Sequence, residues 1–360
     1  MKITNKTHFL LATSAIVSVA AFSATPAFAD VTGSGSTPTV GNPISTSNTD
    51  LELGTASETM EFDTTITVGD DDSDTDLGAA ITATDTNDTT ELTITNNGSS
   101  GSDVTATITQ SNGTNPNVAF QKATSPAQAL NVFVESLNAG NFTLDVDGAA
   151  NLSDGSAGAD GVLGLITNDS GDVIAELSGN LDGTVGLAQD DASATGTAKV
   201  IFDGGSAQTV TGDIATANET GDALGRGTVV EVANTSGGVT VNGNIGSETG
   251  TVFTSAPQTD SVGAIGSLLV TGTGATTELT AEGNVYAGEI VLDGTTNDPA
   301  VNFEGDVTAN ALVFDSESTS NTATFNGTGE QNVNADIVAA GSDGTSPAGA
   351  IVVDQSGTDV

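Results

Sequence analysis

Carboxylates are the residues best placed to do chemistry. Asp72-Ser73-Asp74-Thr75-Asp76-Leu77-Gly78 sets an acidic side chain at every second position and ends on a glycine. Such a run can bring three hard oxygen ligands round one loop, the donor set that Ca²⁺ takes. Asp70 and Asp71 raise the local charge, which makes Asp70, Asp72, Asp74 and Asp76 the candidate metal ligands. The loop lacks the bidentate Glu of an EF-hand at the needed spacing, and the plainer alternative is a solvated acidic loop. A second group is the Asp-Gly corners: Asp145/Asp147-Gly148, Asp154-Gly155, Asp160-Gly161, Asp182-Gly183, Asp203-Gly204 and Asp293-Gly294. Stacked one above another, they could form an acidic ladder that holds Ca²⁺. Unstacked, they are ordinary turns, which Asp-Gly suits.

A third option is a carboxylate pair for glycan cleavage, since 47 acidic residues offer many pairs. Such sites usually add cations for substrate charge and aromatics for sugar stacking. Here Tyr286 is the one tyrosine, there is no tryptophan, and the cations beyond residue 6 are Lys122, Lys199 and Arg226. Arg226, between two glycines, reads as an ion-pair partner rather than a catalytic group. The single histidine is His8, and there is no cysteine. Ser-His-Asp and Cys-His catalysis, imidazole acid–base chemistry and ordinary zinc sites are therefore excluded beyond the N-terminal segment. No catalytic or cofactor-binding residue is assigned, and the expectation is a non-enzyme.

That N-terminal segment reads as a secretory signal. Lys2 and Lys6 supply a basic start, Phe9 to Phe22 is apolar, and Ala27-Phe28-Ala29 makes a cleavage site before Asp30. Its removal leaves three cations against 47 carboxylates, a net charge of −44. Such a surface repels nucleic acid and anionic lipid, so neither is expected as a partner. It also repels itself, and divalent cations or salt should help it stay compact.

The elements that must position these groups are strands. The 45 glycines, the few aromatics and the abundance of Thr, Asn, Asp and Val fit short strands joined by tight turns. Residues 30–50 read as a flexible leader and 51–205 as a β-rich region. Within it ELTITNN and VTATITQ alternate with period two. One helix is expected over 125–139: Ser125-Pro126-Ala127-Gln128 resembles a helix start, Leu130, Val134 and Leu137 follow at helical spacing, and Gly140 supplies a stop. From Val210 a turn recurs as VTGDI, VNGNI, AEGNV, FEGDV and NVNADI. Aligned on it, Leu224–Ile245, Ile265–Val285 and Tyr286–Val307 are successive units, Thr308–Ile337 is a longer copy, and 246–264 is an insertion. A period of about 20 residues indicates a right-handed parallel β-helix over 206–360, with inward Val, Ile, Leu, Phe and Ala and corners of Gly, Asn and Asp. A β-sandwich is the alternative for the N-terminal half.

At these turns, NGNIG with VGAIGSLLVTG, AEGNVYAGEIVLDG and FEGDVTANALVFD resemble the passenger repeats of rickettsial-type surface-antigen autotransporters, a family that also forms surface layers. The resemblance covers about Val210 to Ile337. It implies an exported β-solenoid with structural or adhesive roles at the cell surface, and a C-terminal membrane barrel, which this chain does not include. The strong acidity departs from the family pattern. No catalytic residue transfers, because the matched motifs are turns. Expected partners are self-assembly or cell-surface contacts, or a host or matrix ligand. The alternatives are a Ca²⁺-dependent adhesion module and a polysaccharide-active β-helix.

Overall fold

The computed structural model describes residues 118–354, apart from 125–126, 137–139, 156–160, 168–169, 190–194, 217–226, 248–263, 272–277, 295–297, 317–319 and 341–347; before residue 118 it describes little beyond strands. The described residues are all-β, with no helix among them. The strands form three long sheets of 8, 10 and 11 strands and one two-stranded ribbon. Pairing in the long sheets is parallel throughout, apart from the short ribbon of Val31–Thr32 with Thr39–Val40.

The topology follows from the order of visits. The chain lays Phe142–Val146 in the second sheet and Ala149–Asn151 in the third, then returns to the first at Val162–Thr167. Val173–Leu177, Leu181–Asp182 and Thr184–Gln189 repeat the circuit, each pairing with its counterpart one circuit earlier or later. Long parallel sheets visited in rotation are what a β-helix or solenoid has. The 10-residue strands Val285–Gly294 and Val307–Ser316 each turn the corner between two faces. Their first residues continue the column Ile214–Ile245–Val285, and their later residues lie in the second sheet. The parallel pairing also runs through the N-terminal half, where Phe62–Val68, Thr90–Asn96 and Leu130–Ser136 lie side by side. A sandwich, built of antiparallel sheets, would not pair this way.

The core is a set of apolar columns. Phe142–Val146, Val173–Leu177, Ala198–Phe202 and Thr228–Val232 all alternate buried and half-buried residues from end to end. The second-sheet register puts Leu144, Ala175, Val200, Val230, Leu268, Ile290 and Leu312 in one inward column, all fully buried or nearly so. In the third sheet Val241, Ala281, Phe303 and Phe325 stack. The two phenylalanine rings lie 5.3 Å apart and 22° from parallel.

Among the described residues of the span 125–139, where a helix was expected, there is none. Ala123–Thr124 and Ala127–Gln128 form a small antiparallel ribbon, and Leu130–Ser136 is a strand buried at every second residue. Leu130-Asn131-Val132-Phe133-Val134-Glu135-Ser136 carries two patterns at once: Leu130 and Val134 fit a helix, while Leu130, Val132, Val134 and Ser136 fit a strand. The β-branched valines and the waiting parallel edge of Thr90–Asn96 decide for the strand.

Candidate functional site

The recurring turn gains a physical meaning from the stacking. Gly183, Gly212, Gly243, Gly283 and Gly305 form a column, each lying against the backbone of the one before. A Cβ on Gly212 would sit 2.5 Å from the Gly183 carbonyl oxygen, so no side chain fits there. After the last four of these glycines the next position carries Asp213, Asn244, Asn284 and Asp306; Asn332, after Gln331, continues the series, and these residues link coil to coil. Asp213 Oδ1 accepts from the Asn244 N–H at 2.7 Å, and Asn244 Oδ1 from the Asn284 N–H at 2.9 Å. Asn284 Oδ1 accepts from the Asp306 N–H at 2.8 Å, and Asp306 Oδ1 from the Asn332 N–H at 2.7 Å. A second ladder runs Asp103, Asn141, Asp172 and Thr197, at 3.0, 3.0 and 2.7 Å. The apolar residue after the first ladder's turn (Ile214, Ile245, Val285, Val307) points inward.

Ladder partners are separated by 31, 40, 22 and 26 residues in turn. The 22-residue step matches the expected unit ending at Val307, and the 40-residue step contains the expected insertion 246–264. The unit drawn from Leu224 is corrected. The coil ending at Ile245 begins at Ile214, and the coil that follows Val307 closes at Val333 rather than at Ile337.

Two glutamines that pattern reading missed, Gln208 buried and Gln331 half-buried, brace two corners. Gln208 donates through Nε2 to the Leu177 and Gly179 carbonyls at 2.6 and 3.0 Å, and its Oε1 accepts from the Gly204 N–H at 2.9 Å. Gln331 repeats this with the Phe303 and Gly305 carbonyls at 2.9 and 2.5 Å and the Gly327 N–H at 3.3 Å. The signal was present as Phe-Asp-Gly-Gly-Ser-Ala-Gln at 202–208 and Phe-Asn-Gly-Thr-Gly-Glu-Gln at 325–331.

The groups with chemical character lie on the outer faces. On the second sheet, Asp145 and Glu176 are register neighbours, with Glu231 two strands further on. Lys199 sits beside them and pairs with Glu231. Burial against the sheet pushes the Glu176 carboxyl above its ordinary value, and the charges of Asp203, Asp145 and Glu231 add to this, while Lys199 opposes it. Asp203 is also raised, by burial of its carboxyl, although the residue as a whole reaches solvent; a hydrogen bond to its own backbone opposes the rise. Lys122 lies 3.5 Å from Asp182 and donates to the Ser153 carbonyl. Lys199 and Glu231 lie on adjacent strands of the second sheet, whereas Lys122 and Asp182 span two coils of the third.

The Asp-Gly corners do not form one acidic ladder. Asp182 accepts from Thr211 at 2.9 Å and faces Lys122, Asp147 accepts from Ser178 at 3.3 Å, and Asp293 lies beside Asp315 in a strand. Asp160 and Arg226 lie outside the described residues, as do Asp70, Asp72 and Asp74. Asp76 is placed in a two-residue strand beside Thr107. Among the described residues no group of three or more acidic side chains is arranged to hold a metal ion. Tyr286 donates its backbone N–H to the Ile245 carbonyl at 2.7 Å and serves the corner column.

Comparison with family models, with curated proteins and with solved structures finds no match to this chain.

Proposed function

We propose that this chain is an exported, non-catalytic structural or adhesive protein of the bacterial surface, akin to an autotransporter passenger or a surface-layer component. Its fold, on this reading, is a right-handed parallel β-helix, with coils of 22 to 40 residues where the expected period was about 20. The observation that carries the reading is the unbroken apolar stack from Ile94 to Phe325. A stack of this kind grows by adding coils, and its length is its main geometric property. Eleven strands in the third sheet at about 4.8 Å spacing give a rod of roughly 50 Å. Ile245 and Val285 stack although 40 residues apart, so added sequence between two coils leaves the core column unbroken. That suits a scaffold that presents variable segments. The apolar segment Phe9–Phe22 with its Ala27-Phe28-Ala29 site supports export, and the net charge of −42 suits a hydrated coat.

The test is to produce the full chain in a Gram-negative bacterium and follow it by fractionation, N-terminal sequencing and protease treatment of intact cells. The reading expects a mature N-terminus at Asp30 and protein outside the inner membrane. Cytoplasmic protein with an intact N-terminus would sink it.

A further inference from the structure

We propose that the outer face of the third sheet binds an extended amino-glycan, a linear sugar polymer with free amino groups, laid along the rod at one ring per coil. Two columns of outward residues make up this face. Thr209, Thr240, Thr280, Asn302 and Thr324 are direct register partners, all half-buried. Two residues further along the chain stand Thr211, Asn242, Glu282 and Glu304, all exposed, each donating its backbone N–H to the coil before. Every one of these residues is polar. The outward positions of the second sheet, by contrast, include Ile174, Ile201, Val229, Leu269 and Val291. The repeat therefore holds more than its turn. Thr-Val-Asn-Gly-Asn at 240–244, Thr-Ala-Glu-Gly-Asn at 280–284 and Asn-Phe-Glu-Gly-Asp at 302–306 keep a polar residue at both outward places, which the core and the Asx ladder leave open.

The chemistry of the face chooses the occupant. Its strands spend their backbone groups on each other, so side chains must do the binding. Among the described residues, the hydroxyls of Thr209, Thr240, Thr280 and Thr324 have no partner within the chain. A hydroxyl both donates and accepts, as sugar hydroxyls require of a partner. The columns repeat about every 4.8 Å along the rod, close to the length of one ring in an extended β-1,4-linked chain. A polymer with that repeat sets a ring on each coil, whereas a globular partner has no such period. The absence of apolar residues from both columns disfavours an apolar partner. Glu282 and Glu304, on consecutive coils, repel anionic sugars and attract amino groups, with which they make charge-assisted hydrogen bonds. The proposal stands on this face alone and does not depend on export.

The experiment is isothermal titration of the full chain with the β-1,4-linked glucosamine hexamer, beside cellohexaose, hexagalacturonate and hexalysine, at about pH 6, where amino groups carry charge. It is repeated with Thr240→Val plus Thr280→Val, which keeps the β-branched shape and removes two hydroxyls. A second variant is Glu282→Gln plus Glu304→Gln. The control, Glu289→Gln plus Asp336→Asn, removes the same charge from outward positions of the second sheet. Circular dichroism checks folding. The expected result is binding of the glucosamine hexamer that weakens at least about fivefold in each face variant and by less than about twofold in the control. No binding of that hexamer overturns the proposal. So does an equal loss in the control, or equally tight binding of hexalysine, because either reduces the contact to net charge. Tighter binding of cellohexaose or hexagalacturonate also overturns it, by giving the face a different ligand.

Discussion

Gly212→Ala is the sharpest test of the stacking. The added methyl would lie 2.5 Å from the Gly183 oxygen, 2.8 Å from its carbonyl carbon and 2.7 Å from Thr184 Oγ1. Ordinary contact begins at 3.4 Å, so the coils must separate locally by about 0.9 Å. The Gly212 N–H reaches that same oxygen at 3.1 Å, and such a shift would break the bond. Overpacking costs about 1–3 kcal/mol and the lost backbone bond about 1, so the variant should lose about 2–4 kcal/mol. Gly205→Ala is the matched control, because a Cβ there meets nothing within 4 Å. It should be neutral or gain a few tenths of a kcal/mol from the stiffer unfolded chain.

Urea unfolding followed by circular dichroism compares the two. Because coils contact only their neighbours, the damage is local, and hydrogen exchange locates it. The amides of Val185 and Ile214, which bond to Asp213 and Asn244 carbonyls at 2.9 and 2.8 Å, should exchange faster in Gly212→Ala. Amides near Phe325 should not. If Gly212→Ala falls within about 0.5 kcal/mol of Gly205→Ala, close backbone stacking is not why glycine occupies this column.

Other consequences follow from the same geometry. Glu176 has a folded-state pKa above its ordinary 4.5, so its contribution to stability is full below that value and is lost as pH rises through the raised one. Glu176→Gln should therefore raise the urea midpoint at pH 7 and flatten its dependence on pH between mild acid and neutrality; an unchanged pH profile would count against this. Phe303→Ala removes a fully buried ring from the stack on Phe325 and should cost about 3–5 kcal/mol, with Phe303→Leu costing under about 1.5, both read from urea midpoints. Asn284→Asp puts a carboxylate beside Asp306 and should cost about 1 kcal/mol at low salt, recovered in high salt. A salt-independent loss would point to geometry instead.

The regular coils were legible because their signal is local. In Ala281–Val307 the turn glycine, the following Asx and the inward Val recur at one spacing, and the structure stacks them at that spacing. The start of the coil before Ile245 was misread because that coil is 31 residues long and hides the shorter period, although the turn at Ile214 already marked the boundary. The strand Leu130–Ser136 was misread for a different reason. Seven residues carry too little pattern to separate the two periods, and the deciding partner, Thr90–Asn96, lies far back in the sequence. Gln208 and Gln331 escaped because a glutamine that braces a corner looks like a surface residue until the carbonyls it caps are known.

The Asx ladders stand at other turns than the Asp-Gly corners expected to be acidic, and their composition is consistent with electrostatics. Reading along the first column gives Asp213, Asn244, Asn284, Asp306 and Asn332; the second gives Asp103, Asn141, Asp172 and Thr197. No two aspartates are adjacent in either. Either residue type can accept the N–H of the next coil, so hydrogen bonding alone does not choose between them. Spacing does: carboxylates one coil apart, about 5 Å, repel by about 1 kcal/mol even in water. An interposed Asn keeps the acceptor, removes the charge and offers an amide to the neighbouring carboxylate, as Asn244 does to Asp213 and Asn332 to Asp306, both at 3.4 Å. A column built to hold Ca²⁺ between coils would favour consecutive carboxylates. These columns place none side by side, and their side chains are spent on the N–H groups of the next coil, as a scaffold requires.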